Sequence, residues 1–306
     1  MLFRSVQTAD GGFVIAGKTT TNTNGQADMI LIKTDANGNM RWAKSYGLQA
    51  WEESESLTIS HDGNYLICGA TTSSGAGSYD ILLWKCDTAG NYMWGKTYGG
   101  SKSDASYYVR EKTDGSIVVA GYTNSWGYGH AQQYPLPVML GDDSTNIFLM
   151  KTDSMGDVIW AQSYGDKKQD EAFNFSQTVD GGYIIPGFSN SYTYSTDSLQ
   201  MLLIRTDSMG ISGCHEQRVN PIVTTAVYTP QILPFTQSRG MDISNVNVTT
   251  LPWNIPDDDA CLYIGISSPD ATIESSLTVF PNPAKGSFTI ESSDRKSTRL
   301  NSSHRT

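Results

Sequence analysis

Residues 7–19 read QTADGGFVIAGKT, and the string returns in register as ISHDGNYLICGAT at 59–71, EKTDGSIVVAGYT at 111–123 and QTVDGGYIIPGFS at 177–189. The turn aspartate recurs at Asp10, Asp62, Asp114 and Asp180, in steps of 52, 52 and 66 residues. A second block follows each first one: MILIKTDANGNMRWAKSYG, ILLWKCDTAGNYMWGKTYGG, IFLMKTDSMGDVIWAQSYG and a shorter MLLIRTDSMGISG. Asp-Gly between alternating apolar residues is a strong hairpin signal, and the D-x-x-G-[ND] connector supplies a second tight turn with Gly at a φ > 0 position. Each unit therefore reads as four short strands: one before the Asp-Gly turn, one after it, one ending at KTD, and one carrying Trp and Tyr. Four strands per repeat of about 52 residues is the arithmetic of a propeller blade. The expected fold is all-β, a β-propeller-like array of four four-stranded repeats. A strand-rich solenoid is the alternative, because periodicity alone does not show whether repeats close into a ring.

The repeats resemble propeller-like repeats of long secreted proteins of Bacteroidota, over residues 6–214. That resemblance speaks to architecture and hardly to activity. Composition narrows the function classes. With 21 Lys+Arg against 31 Asp+Glu and a net charge of -10, the chain lacks the clustered bases that phosphate binding needs, so nucleic acid is excluded as a partner. The longest apolar runs fall far short of the roughly 18 residues of a membrane helix, so no membrane span is expected.

Both ends resemble translated sequencing adapter: residues 1–5, and 294–306, where the eleven residues from Asp294 to His304 back-translate to adapter without a mismatch. They are set aside, and the natural gene is expected to run past both ends. Between the repeats and the C-terminal end lies a Thr-, Val- and Pro-rich β-rich connector, 215–274. Then SSLTVFPNPAKGSFTIES occupies 275–292. Val279, Phe280, Pro281, Asn282, Pro283, Ala284, Gly286, Phe288 and Ile290 match the opening of the type A C-terminal sorting domain of the type IX secretion system. PNP makes a turn that cannot join a ladder, between two alternating half-buried strands. The resemblance implies the start of a small β-sandwich sorting domain at 275–293, truncated before its later strands. It implies export through the periplasm to the cell surface or medium, with the type IX machinery as partner.

Site chemistry is sparse. No GxSxG, P-loop, dinucleotide fingerprint, HExxH or CxxC zinc pair occurs, and no cofactor or metal is expected. KTDANGN at 33–39 alternates oxygen ligands as calcium loops do, but its sister copies lose them and no twelfth-position Glu follows, so it reads as a turn. Cys68 and Cys86 replace Ala, Pro or Thr of sister copies and read as packing substitutions. Cys214 and Cys261, outside the repeats, are a candidate disulfide. Trp42, Trp94 and Trp160 read as core. The acid ten residues after each of them, Glu52, Asp104 and Asp170, would form a ring able to bind a cation or a basic partner; the preferred reading pairs these acids with Lys33, Lys85, Lys151 and Arg205.

Asymmetry among the copies is the functional signal. Copy three inserts residues into a hairpin loop, and insertions in repeat arrays map to binding loops. Within Ser125–Asp143, Trp126, Tyr128, His130, Tyr134, Asp142 and Asp143 suit stacking on a sugar or peptide and hydrogen bonding to it. The expectation is a secreted or cell-surface, non-catalytic binding or structural module whose partner is a polysaccharide or surface protein. The alternative is an accessory domain of a carbohydrate- or peptide-active enzyme.

Overall fold

The Asp-Gly turns close their hairpins through a repeated device. In the first, Gly11 donates its amide to the Thr8 carbonyl at 2.9 Å and takes φ +79°, and Thr8 closes the loop on Gly12 at 2.9 Å. Gly63, Gly115 and Gly181 adopt the same left-handed conformation. The computed structural model describes residues 4–21, 23–127, 144–191 and 199–234. All of its regular elements are strands. No helix among the described residues is long and apolar enough to cross a membrane.

Sheet 1 comprises β1 (Arg4–Gln7), β2 (Phe13–Thr19), β3 (Asp28–Thr34) and β4 (Met40–Tyr46). Sheet 2 comprises β5 (Glu52–Ile59), β6 (Tyr65–Thr71), β7 (Asp80–Cys86) and β8 (Tyr92–Gly99). Sheet 3 comprises β9 (Asp104–Glu111), β10 (Ile117–Thr123), β11 (Asn146–Thr152) and β12 (Val158–Tyr164). Each is antiparallel and ordered as in the sequence, the four strands that its repeat predicts. The fourth copy departs from the pattern. Its first strand is broken into β13 (Asp170–Ala172) and β14 (Ser176–Gln177), which pair with β15 (Tyr183–Ser189); β16 (Gln200–Thr206) completes sheet 4, with no Trp-bearing strand after it. The sequence accounts for this, since the fourth copy ends at MLLIRTDSMGISG.

Successive sheets pack face to face. Met29, Leu31 and Tyr46 of sheet 1 meet Ile67, Leu82 and Trp84 of sheet 2. Cys68, Leu83 and Tyr98 then meet Val119, Phe148 and Met150, and a third core joins sheets 3 and 4. Sheets 2 and 3 are buried on both faces, which is why β7 and β11 are continuous apolar runs. Among the described residues, no apolar cluster joins sheet 4 to sheet 1.

A repeated clasp sets the spacing between sheets. Tyr46, Tyr98 and Tyr164 donate their hydroxyls to the carbonyls of Gly90, Gly156 and Gly210 in the next repeat's second turn, at 2.7, 2.6 and 2.5 Å. Trp42, Trp94 and Trp160 lie over the same glycines. Trp160 is buried in the core, as expected, while Trp42 and Trp94 are half-buried and pack against it. The KTD turn reading also holds: Asp35 Oδ1 accepts the amides of Asn37 and Asn39 at 2.9 and 2.8 Å, and Asp87, Asp153 and Asp207 repeat the arrangement.

The connector behaves in a way the sequence did not announce. After sheet 4 it runs back along the outer edges of sheets 3, 2 and 1, adding β17 (Glu216–Arg218) to β12, β18 (Ile222–Thr225) to β8 and β19 (Gln231–Ile232) to β4. Val219, Ala226 and Leu233 donate their amides to the carbonyls of Ala161, Gly95 and Ala43, the residue after each repeat's Trp, at 3.1, 3.0 and 3.0 Å. Seven connector residues therefore span each sheet-to-sheet step. All three are buried, as is Tyr228, which enters the core between sheets 1 and 2. The strap covers three strand edges that would otherwise present unpaired backbone groups.

Candidate functional site

The acids and bases that repeat are structural, but their pairing differs from expectation. Lys33, Lys85, Lys151 and Arg205 bind the turn aspartates Asp10, Asp62, Asp114 and Asp180 of their own hairpins, at 2.9, 2.7, 3.3 and 2.5 Å. Antiparallel pairing returns the end of the third strand to the turn before the second, so Lys33 sits opposite Val14, beside that turn. Glu52, Asp104 and Asp170 form no exposed ring, because all three are fully buried between sheets. Glu52 accepts the Leu48 amide at 2.9 Å and the Thr71 hydroxyl at 3.0 Å; Asp104 and Asp170 fasten their own entry loops through Gly100 and Asp166. A second acid, unforeseen, opens the third strand at Asp28 and Asp80 and becomes Asn146 in copy three. Burial raises the carboxyl pKa of Asp28 and Asp80, with the neighbouring Glu52 and Asp104 adding to the shift.

Variable residues gather at the inner edge, where the first strands of successive sheets approach each other. The first strands of sheets 2 and 3 each carry a bulge, opposite Gly69 and Gly121 respectively, the glycine that all copies share. In sheet 2 the extra residue is Glu55, between Ser54 and Ser56; in sheet 3 it is Tyr107. The break between β13 and β14 puts Phe173 at the same register in sheet 4. The glycine is required: a Cβ at Gly69, Gly121 or Gly187 would sit 1.8, 2.0 or 2.2 Å from the carbonyl oxygen of Glu53, Ala105 or Glu171. A bulge frees one side chain from the alternation of the strand and re-aims it.

The bulge of sheet 3 puts Tyr107 in a cleft of about 590 Å³ whose lining also includes Ser103, Tyr122, Asn124, Thr145 and Glu171. Tyr107 lies with its ring centroid 4.9 Å from that of Phe173 and 5.6 Å from that of Tyr122, and Phe173 lies 5.8 Å from Phe188. Burial, then Glu171, Tyr122, Glu55 and Glu53, raise the Tyr107 phenol pKa, and Glu171 lines the cleft with it. Glu55 is itself pushed up to about 7 by burial and by Glu53. The site thus offers aromatic faces, small hydroxyl and amide groups, and the Glu171 carboxylate. Among the described residues, no three His, Cys, Asp or Glu side chains gather as a metal set.

Of the residues singled out in the inserted loop, Trp126 is half-buried, with its ring stacked 6.3 Å from Phe148. Tyr128, His130, Tyr134, Asp142 and Asp143 lie outside the described residues. Asn124, just before the insertion, and Thr145, two residues after it, both line the cleft. Cys68 and Cys86 are buried packing thiols, and burial pushes Cys68 up to about 12. Cys214 is half-buried; Cys261 and the motif at 279–290 lie outside the described residues. Sequence reading missed Glu55, Tyr107, Tyr122, Glu171 and Phe173. The signal was present in the aligned copies as non-equivalent residues at fixed offsets from an invariant glycine.

No family model matches the chain. The regulatory protein FlaEY of Caulobacter vibrioides is 23% identical over 202 residues, which cover 58% of this chain and 20% of that protein. The match therefore spans about a fifth of the length of this curated relative.

Proposed function

We propose that this chain is a secreted or cell-surface, non-catalytic binding module, exported by the type IX system through its C-terminal sorting motif, and that it engages its partner in the inner cleft. One observation carries the binding reading. Positions shared by the copies clasp sheets or close turns, whereas positions that differ bring Tyr107, Tyr122 and Glu171 to one concavity, with Phe173 packed on Tyr107. Aromatic faces with a few convergent polar groups are the make-up of a recognition site. The inserted sequence of copy three, with Tyr128, His130, Tyr134, Asp142 and Asp143, is proposed as a further contact for the partner. Propeller-like closure, with a further blade between sheets 4 and 1, belongs to the same proposal.

The test is a display of glycans and surface proteins probed with the chain and with Tyr107→Ala. Signal that the variant loses while its melting temperature holds supports the reading. Signal that survives in the variant refutes it.

A further inference from the structure

The first and third junctions between sheets keep the same carboxylate in different company. At the first, the Trp51 indole N–H donates to Glu53 Oε2 at 3.2 Å, and Lys18 of β2 brings Nζ to 2.7 Å from that oxygen. The same Nζ lies 4.6 Å from the Trp51 ring centroid. An ammonium is held between a carboxylate and an aromatic face, where Coulomb attraction and the ring quadrupole act together.

At the third junction, Gln169 stands in register for Trp51, Glu171 for Glu53 and Tyr122 for Lys18. Gln169 Nε2 donates to Glu171 Oε1 at 2.8 Å, the counterpart of the indole bond. The carboxylate and its orienting donor are retained, and the lysine is replaced. No Lys or Arg among the described residues forms an ion pair with Glu171. Where the lysine would be there is the cleft, walled by Tyr107 and Tyr122.

On the reading of this cleft as a binding site, we infer that the third junction takes from its partner the ammonium group that Lys18 supplies at the first. The ligand is the protonated lysine side chain of a basic peptide segment, with its charge on Glu171 and its methylene stem along Tyr107 and Tyr122. Glu171 is the carboxylate that lines the cleft, since Glu53 is already paired with Lys18. Lys102 on the rim opposes the Glu171 charge. The net charge of -10 favours encounter with a basic chain at low salt. A neutral sugar would stack on the same rings and gain nothing from that field.

Calorimetry with the full chain separates the cases, using capped pentalysine, the same peptide acetylated on every side-chain amine, and cellohexaose. Pentalysine should bind with an affinity that falls as salt rises, and acetylation should cost at least tenfold. Glu171→Gln should cost at least tenfold, while Asp157→Asn, on an exposed outer turn, should change nothing. Tyr122→Lys restores the residue of the first junction, and its own ammonium should then exclude the peptide. Melting curves establish that each variant folds. Equal binding of the acetylated peptide, or full binding by Glu171→Gln, overturns the inference. Cellohexaose bound in a Tyr122-dependent way overturns it too and leaves the cleft as a binding site. If none of the three probes binds, the ammonium inference fails, and the array experiment decides the cleft separately.

Discussion

Replacing Tyr228 by alanine should destabilise the whole array, although the residue belongs to none of the four repeats. Its side chain is 2% exposed, and its ring centroid lies 6.3 Å from that of Trp84 and 6.2 Å from that of Tyr92. The backbone around it is held as well: Ala226 donates to the Gly95 carbonyl at 3.0 Å, and its own carbonyl accepts the Tyr92 hydroxyl. Truncating a buried aromatic residue to alanine costs about 3–5 kcal/mol. In a unit of roughly 150–250 residues each kcal/mol moves the midpoint by about 2–4 °C, so Tyr228→Ala should lower it by roughly 6–20 °C. The strap supplies its own control. Val227, the next residue, is 63% exposed, and Val227→Ala should stay within about 0.5 kcal/mol. Thermal and urea unfolding followed by tryptophan fluorescence measure both, with Trp84 beside the lesion. Equal effects from the two variants, or a loss below about 1 kcal/mol for Tyr228→Ala, would refute the docking of the strap.

Two further outcomes follow from the sister copies. Gly121→Ala puts a Cβ 2.0 Å from the Ala105 carbonyl oxygen, so β9 and β10 must part; it should cost about 1–3 kcal/mol and change the near-ultraviolet dichroism of the Tyr107 cluster. Gly115→Ala, at φ +80° in open space, should cost about 1 kcal/mol and leave that spectrum intact. Asp80→Asn copies the residue found at position 146. A raised carboxyl pKa gives stability that is present below the unfolded value and lost as pH rises through the folded one. The melting temperature of the Asn variant should therefore gain on that of the parent as pH rises from about 4 to about 8, and the opposite slope counts against a buried acidic pair.

The strands, turns and repeat boundaries were legible because they rest on local chemistry repeated in register, so that sister copies corrected accidents such as the calcium-like spacing of Asp35, Asn37 and Asn39. The ion pairing was misread for a reason of topology. Glu52 is nearer to Lys33 in sequence than Asp10 is, but the antiparallel return of β3 lays Lys33 against the first turn. The strap was illegible for a different reason. The seven-residue step of Val219, Ala226 and Leu233 matches the spacing of strand edges, a quantity that exists only once sheets 1 to 3 have assembled.

The location of the cleft follows from the same division of labour. A residue on a strand buried on both faces answers to two neighbours, so Leu82 or Phe148 can vary only in concert with an adjoining sheet. A bulge residue makes no such double contact, since it lies outside the ladder and its backbone is accommodated by the glycine opposite. Exchanging glutamate for tyrosine at 55 and 107 therefore leaves the ladders of sheets 2 and 3 in the same register on either side of the bulge. The position after the glycine, Lys18, Ala70, Tyr122 and Phe188, also differs among the copies, on the strand beside the first one. Diversity in a repeat array collects where the fold constrains it least. Here Tyr107, Tyr122 and Glu171, from two copies, line one cleft, so independent changes in separate copies alter a single surface.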